Sequence, residues 1–191
     1  MSDLKDWVSR EGKVIGPEFL KVDGFLNHRI DPAFVEEAGR RLAERFSGNG
    51  ITCVLTAEAA GNVIAYEVAR RLNARALYAK KGRAATMASP WVREIRSPTK
   101  GTVTDLAISR EYLGPGGHVL IVDDFLYRGT TSAALAEMIA ESGAGLAGFG
   151  FVLEKRFANG RATLERFDVP IVSLIPITGM DPTTGTIEFA E

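Results

Sequence analysis

A chain of 191 residues is long enough for one domain with a real core and short for two. With 46% hydrophobic and 25% charged residues and a net charge of −1, it has a globular composition and no global pull toward nucleic acid or an anionic membrane, so any phosphate binding must be local. A single cysteine excludes an intrachain disulfide, and no apolar run approaches the ~20 residues that span a bilayer.

Residues 1–16 read as a short polar helix and a turn. They lack the apolar stretch of a secretory leader, so the expected compartment is the cytoplasm. Asp31-Pro32 opens a clear helix, with Asp31 as cap, Pro32 in the first turn and an apolar stripe of Phe34, Ala38, Leu42 and Phe46. Gly48-Asn49-Gly50 ends it. ITCVLT (51–56) reads as a buried strand that hides Cys53 as a small hydrophobe, AEAAGN as a small-residue loop, 63–72 as a helix and 76–81 as a short strand. Strand, loop, helix, strand predicts a right-handed parallel crossover. The pattern recurs in HVLIV, a helix over 131–142, a strand over 146–154, a short helix near 161–167 and the strand PIVSL (170–174). The fold class is therefore α/β, a doubly wound, mostly parallel sheet, carried by one domain over 1–191. Between Lys80 and Gly117 the pattern changes to basic and small residues with two short strand-like runs near 91–96 and 102–108. This segment reads as a hairpin excursion, a flap beside the sheet.

The chemistry concentrates in HVLIVDDFLYRGTTS. Ligands of open α/β sheets bind beyond the carboxyl ends of the strands, where Asp123 and Asp124 are expected. Gly129, Thr130, Thr131 and Ser132 fall at the start of the next helix, whose free N–H groups and positive dipole suit an anion such as phosphate. Two acids facing an anion site suggest a ligand with hydroxyls or bound magnesium at one end and a phosphate at the other, as in a sugar phosphate. Neither a P-loop nor a G-x-G-x-x-G run is present, which disfavours nucleotide triphosphate cleavage and dinucleotide binding. On these residues alone the stretch also reads as an acidic turn followed by a helix cap. The AEAAGN loop, with Ala60 and Gly61, occupies the equivalent strand end of the first crossover, so its backbone N–H groups can face a second anion. Lys80, Lys81 and Arg83 can supply positive charge there, against the nearby Glu58.

An apolar run, Asp-Asp, a few variable residues, then Gly-Thr resembles the PRPP-binding signature of type I phosphoribosyltransferases. LKVDGFLNHRIDP (20–32), YAKK near 78, SPTKG near 97 and FVLEKRFANGR (151–161) resemble the xanthine phosphoribosyltransferase group, and the likeness runs in order from about residue 12 to 178. The resemblance implies transfer of phosphoribosyl from PRPP, accompanied by magnesium, to a purine base with release of pyrophosphate. It implies that Asp123 and Asp124 hold the ribose hydroxyls directly or through the metal, and that Tyr127, Arg128, Gly129, Thr130 and Thr131 cradle the 5-phosphate. It also implies that Ala60, Gly61, Lys80 and Lys81 face pyrophosphate, and that Leu20, Asn27 and Lys155 contact the base. A hood from 12–30 with the C-terminal segment, and a homodimer, follow from the same resemblance. Lys155, as a donor to an exocyclic oxygen, would select oxo-purines over adenine.

The phosphate loop departs from the group, which carries Ala-Asn-Gly-Gln-Ala where this chain has Tyr127-Arg128-Gly129-Thr130-Thr131. Two readings therefore stand beside the enzyme: a PRPP- or purine-sensing regulator on the same fold, and a catalytically silent member. The stretch before Asp31 is short for a winged helix, so a regulator would need a partner to reach DNA. His118 reads as structural or exposed, His28 lies near the base-binding stretch, and Phe157 is expected to close the core.

Overall fold

The computed structural model describes residues 3–96 and 103–190. Helix α1 (Leu4–Glu11) is capped by Asp3, whose carboxylate accepts from the Lys5 N–H. Strands β1 (Lys13–Gly16) and β2 (Phe19–Lys21) form an antiparallel hairpin. Helix α2 (Pro32–Arg45) begins where Asp31 accepts from the N–H groups of Ala33 and Phe34. All four residues of its expected stripe, Phe34, Ala38, Leu42 and Phe46, are buried.

The main sheet then builds up from β3 (Cys53–Ala57), α3 (Asn62–Leu72), β4 (Arg75–Lys81), β5 (Trp91–Arg96), β6 (Val103–Ile108), β7 (His118–Leu126), α4 (Thr130–Ser142), β8 (Gly145–Lys155), α5 (Gly160–Glu165), β9 (Ile171–Met180) and β10 (Ile187–Phe189). Its strand order is β10-β9-β8-β7-β3-β4-β6-β5. The ladders from β9 through β8, β7 and β3 to β4 are parallel, and the pairs at both edges are antiparallel. Successive residues of each central strand face opposite sides, and the cores follow that period. Val54, Leu120 and Val122 pack with α2 and α3 on one side, while Leu55, Val119 and Ile121 pack with α4 on the other.

Three elements differ from the expectation. The strand carrying the acids does not stop at Val122 but runs on to Leu126, because β8 pairs with it as far as Leu126 and Glu154. The two strand-like runs of the flap do form a hairpin, but it joins the sheet edge, with Lys80 opposite Ala107 and Lys81 opposite Leu106. Trp91 and Ile95 of that hairpin pack on the second core, and Arg93 pairs with Glu137 and Glu141 of α4. The last strands are longer and more numerous than PIVSL suggested, with β9 reaching Met180 and β10 added at the edge. SPTKG lies outside the described residues.

The connections fix where a ligand can sit. From β3 the chain crosses through α3 toward β4, and from β7 it crosses through α4 toward β8, in the opposite direction along the sheet. The helices therefore lie on opposite faces, and the carboxyl ends of β3 and β7 are a topological switch point, where loops diverge and leave a crevice.

Candidate active site

The β3–β7 ladder ends at Leu55 opposite Ile121, so β7 has lost its partner on that side when it reaches Asp123 and Asp124. The loop Glu58–Gly61 fills the gap. A Cβ at Gly61 would stand 2.6 Å from Asp123 Oδ1 and 2.0 Å from Thr56 Oγ1, so only glycine lets this loop lie against the acids. Its small-residue composition thus has a steric reason beyond backbone freedom.

Asp123 is half-buried and Asp124 is buried. Asp123 Oδ1 accepts from the Asp124 N–H at 2.9 Å, and Asp124 Oδ1 accepts from the Phe125 N–H at 2.9 Å. Burial, followed by the neighbouring Asp124 charge, pushes the Asp123 carboxyl well above the usual carboxylate range, while the Lys81 ammonium pulls it down. Two acids so placed are eased by a cation or by hydroxyl donors. Among the described residues no cluster of three or more metal-ligating side chains exists. The pair fits magnesium, which takes one or two carboxylates and completes its shell with water and substrate oxygens, and does not fit an all-protein cage.

Both flanking helices start without a side-chain cap, whereas α1 and α2 each have an aspartate cap. At α3, Gly61 precedes the first turn, and Asn62 leaves Oδ1 buried without a hydrogen-bond partner. At α4, Gly129 takes φ 73°, a left-handed conformation, and a Cβ there would stand 2.7 Å from the Gly160 carbonyl. The start of α5 thus braces the loop that carries Gly129. Each crevice wall therefore offers N–H donors and a positive dipole end to an anion.

The hood side closes the site from a third direction. Asn27 Nδ2 donates to Asp124 Oδ2 at 3.0 Å, which ties the 22–31 turn to the acid pair. Lys155, at the end of β8, is 9% exposed, and its Nζ donates to the Glu18 carbonyl at 2.5 Å. Burial holds its ammonium below the ordinary lysine range, opposed by the charges of Glu18 and Asp124. Leu20, expected to contact the base, is buried in the first core.

Asp123, Asp124, Gly61, Gly129, Asn27, Lys81 and Lys155 thus gather at one end of the sheet. Lys80 instead lines a groove of about 310 Å³ with Tyr78, Met87 and Tyr112. Glu58 is occupied, with its Oε1 accepting from the Lys81 N–H at 2.7 Å, and Arg83 pairs with Asp105 at 3.4 Å. Phe157, expected in the core, is 39% exposed because a short helical turn carries it past the end of β8. His118 Nδ1 lies 2.7 Å from the Asn49 carbonyl, a structural contact. Cys53 is buried, and burial pushes its thiol up to about 11. Sequence reading missed Glu18, Phe125 and Gly160. Gly160 carried a signal, an Asn-Gly pair before a helix; Glu18 carried none, since its partners lie far along the chain.

A doubly wound sheet with an acid pair at its switch point, between two uncapped helix starts, defines an α/β protein whose crevice suits a phosphorylated, hydroxyl-bearing ligand. Residues 29–168 match the family model described as the phosphoribosyl transferase domain. The chain is 45% identical to a xanthine phosphoribosyltransferase of Heliobacterium modesticaldum over 100% of both chains. It is 40% identical to one of Moorella thermoacetica over 97% of this chain and 94% of that one. The structure of an adenine phosphoribosyltransferase from Giardia lamblia, complexed with 9-deazaadenine, has the same fold, with TM-score 0.77 at 18% identity over 92% of this chain and 98% of that one. The chain belongs to the phosphoribosyltransferase family.

Proposed function

We propose that the protein is a purine phosphoribosyltransferase of salvage, transferring phosphoribosyl from PRPP to an oxo-purine, with xanthine the preferred base. One observation carries the reading: the acid pair of β7, with Asp124 buried, stands between two uncapped helix starts, with a buried lysine on its third side. The full-length identity to xanthine phosphoribosyltransferases supports the choice of base.

In this reading a base nitrogen forms the new bond to the anomeric carbon of PRPP, and the bond to the pyrophosphate oxygen breaks. No covalent nucleophile is needed, so positioning and electrostatics supply the rate. Asp123 and Asp124 hold the ribose hydroxyls and offset the positive charge that develops on the sugar. The starts of α3 and α4 take pyrophosphate and the 5-phosphate respectively, and Lys81 adds charge on the pyrophosphate side. Lys155 donates to an exocyclic oxygen of the base, which leaves the donor unpaired when an amino-purine enters. Asp123 and Asp124 would hold magnesium, which when bound would supply positive charge to offset that of pyrophosphate. We place the protein in the cytoplasm as one domain that pairs into a homodimer.

The test is direct. The protein is incubated with magnesium, PRPP and, separately, xanthine, guanine, hypoxanthine and adenine, and pyrophosphate release is followed. Release with the oxo-purines and not with adenine is the expected result. PRPP binding without turnover of any base would refute the reading.

A further inference from the structure

Tyr127 stands in the loop that approaches phosphate, yet its side chain is committed elsewhere. Its hydroxyl donates to Glu18 Oε2 at 2.5 Å, in the turn between β1 and β2. The main-chain carbonyl of the same Glu18 accepts from Lys155 Nζ. The Lys155 ammonium lies 5.1 Å from the centre of the Tyr127 ring and 4.9 Å from that of Phe125. Arg128 leans on the same tyrosine, with its guanidinium 5.1 Å from the ring centre and Nη2 at 3.4 Å from the hydroxyl. The tyrosine backbone is braced separately: a Cβ at Gly160 would stand 2.2 Å from the Tyr127 carbonyl oxygen. So the loop backbone is held by α5, and the ring and hydroxyl reach across to the base side.

A lysine has a long stem whose ordering costs entropy, and a buried one also loses hydration. Lys155 is ordered in advance by two aromatic faces and one carbonyl, so it can meet a ligand oxygen without that cost. Remove the tyrosine, and Lys155 loses one of its two aromatic faces and is free to swing away from the base.

We infer that Tyr127 is a positioning residue for the base: it clamps Lys155 and the Glu18 turn into one unit, and so sets how tightly an oxo-purine is held and how strongly an amino-purine is refused. The inference rests on the reading of the site given under Proposed function. It assigns the Tyr127 side chain to base selection, while Gly129 to Thr131 keep the phosphate.

The test compares the parent with Tyr127→Phe, which keeps the ring and loses the Glu18 bond, and Tyr127→Ala, which loses both. For Tyr127→Ala the KM for the best oxo-purine should rise about tenfold while the KM for PRPP changes less than about twofold. Its preference for that base over adenine should fall by about tenfold. Tyr127→Phe, with the ring but without the Glu18 bond, should fall between the parent and Tyr127→Ala in both. A second readout needs no turnover: labelling of Lys155 by an amine-reactive reagent, followed by mass spectrometry without substrates, should speed up about fivefold in Tyr127→Ala and by less in Tyr127→Phe. If Tyr127→Ala does not fold, Tyr127→Leu keeps the bulk and reads the same loss. A rise in the PRPP KM equal to that for the base, or identical Lys155 labelling in all proteins, would overturn the inference. Failure of the parent to turn over any base refutes the proposed function, and this inference with it, before any variant is made.

Discussion

Asp123 and Asp124 are neighbours in sequence but have different surroundings. Asp124 is held by Asn27 from the hood, and Asp123 by the loop that Gly61 lets in. Asp124→Asn keeps the size and removes the charge. On the proposed function it should lower kcat/KM by at least ~10²-fold, because the lost charge is the one that would face the developing sugar cation, with an unchanged melting temperature. Activity near that of the parent would remove Asp124 from the chemistry. Lys155 makes a prediction in pH. Burial favours its neutral form, so its charge is lost at lower pH than that of a free lysine, which titrates at ~10.4. As pH rises, kcat/KM for the base should fall before that value is reached, and Lys155→Met should flatten that limb. The motif residues were legible because their types are unusual together. The partners of Tyr127 and Lys155 were not, since Glu18 comes from a turn more than a hundred positions away, and no local pattern marks it.

At the scale of elements, helix starts and apolar periods were readable because caps and faces are local matters. Asp31-Pro32 and the Phe34 stripe are of that kind. The length of β7 was not, because two acids look like the end of an apolar run, and only pairing with β8 carries the strand on to Leu126. That extension places Leu126 opposite Glu154, a carboxylate that is 1% exposed. Arg161 reaches it from α5 with two hydrogen bonds, at 2.9 and 2.8 Å, and also donates to the Ile171 carbonyl. Burial alone would raise the Glu154 carboxyl, but the Arg161 fork and Ser173 outweigh it and hold it below the usual value. Arg161→Met leaves a buried charge whose remaining cationic partner among the described residues is Arg156 at 3.9 Å, and should cost ~3–5 kcal/mol in urea unfolding. Losing the Arg93 pairs to α4, whose glutamates are far more exposed than Glu154, should cost less than ~1 kcal/mol. The pH dependence has a definite sign. A carboxyl depressed in the folded state stabilises above its unfolded value of ~4.3, and that stability is lost as pH falls through the folded value. Parent and Arg161→Met should therefore converge in stability under acid. A gap that stays constant down to low pH would mean that Glu154 is not the group involved.

The whole molecule is two cores on one sheet, and the site lies where the two windings part. That much was legible from alternating strands and helices alone, since the right-handed crossover rule leaves few other arrangements. How the flap hairpin continues the sheet edge was not, because it depends on β6 meeting the last two residues of β4. The same arrangement implies a coupling between ligand and stability. The crevice walls come from α3 packed on one core and α4 packed on the other, so a ligand bridging them holds both halves together and has no counterpart in the unfolded chain. PRPP with magnesium at about a hundred times its Kd should then add ~2.7 kcal/mol to stability. For a chain of this size that raises the melting temperature by about 5–10 °C. Pyrophosphate alone, which occupies one wall, should give a smaller rise, and the doubly neutral variant Asp123→Asn with Asp124→Asn should give little with either ligand. A full-sized shift in that variant would show that the phosphates bind without the acids, and that the acid pair and the anion-ready helix starts serve different ligands.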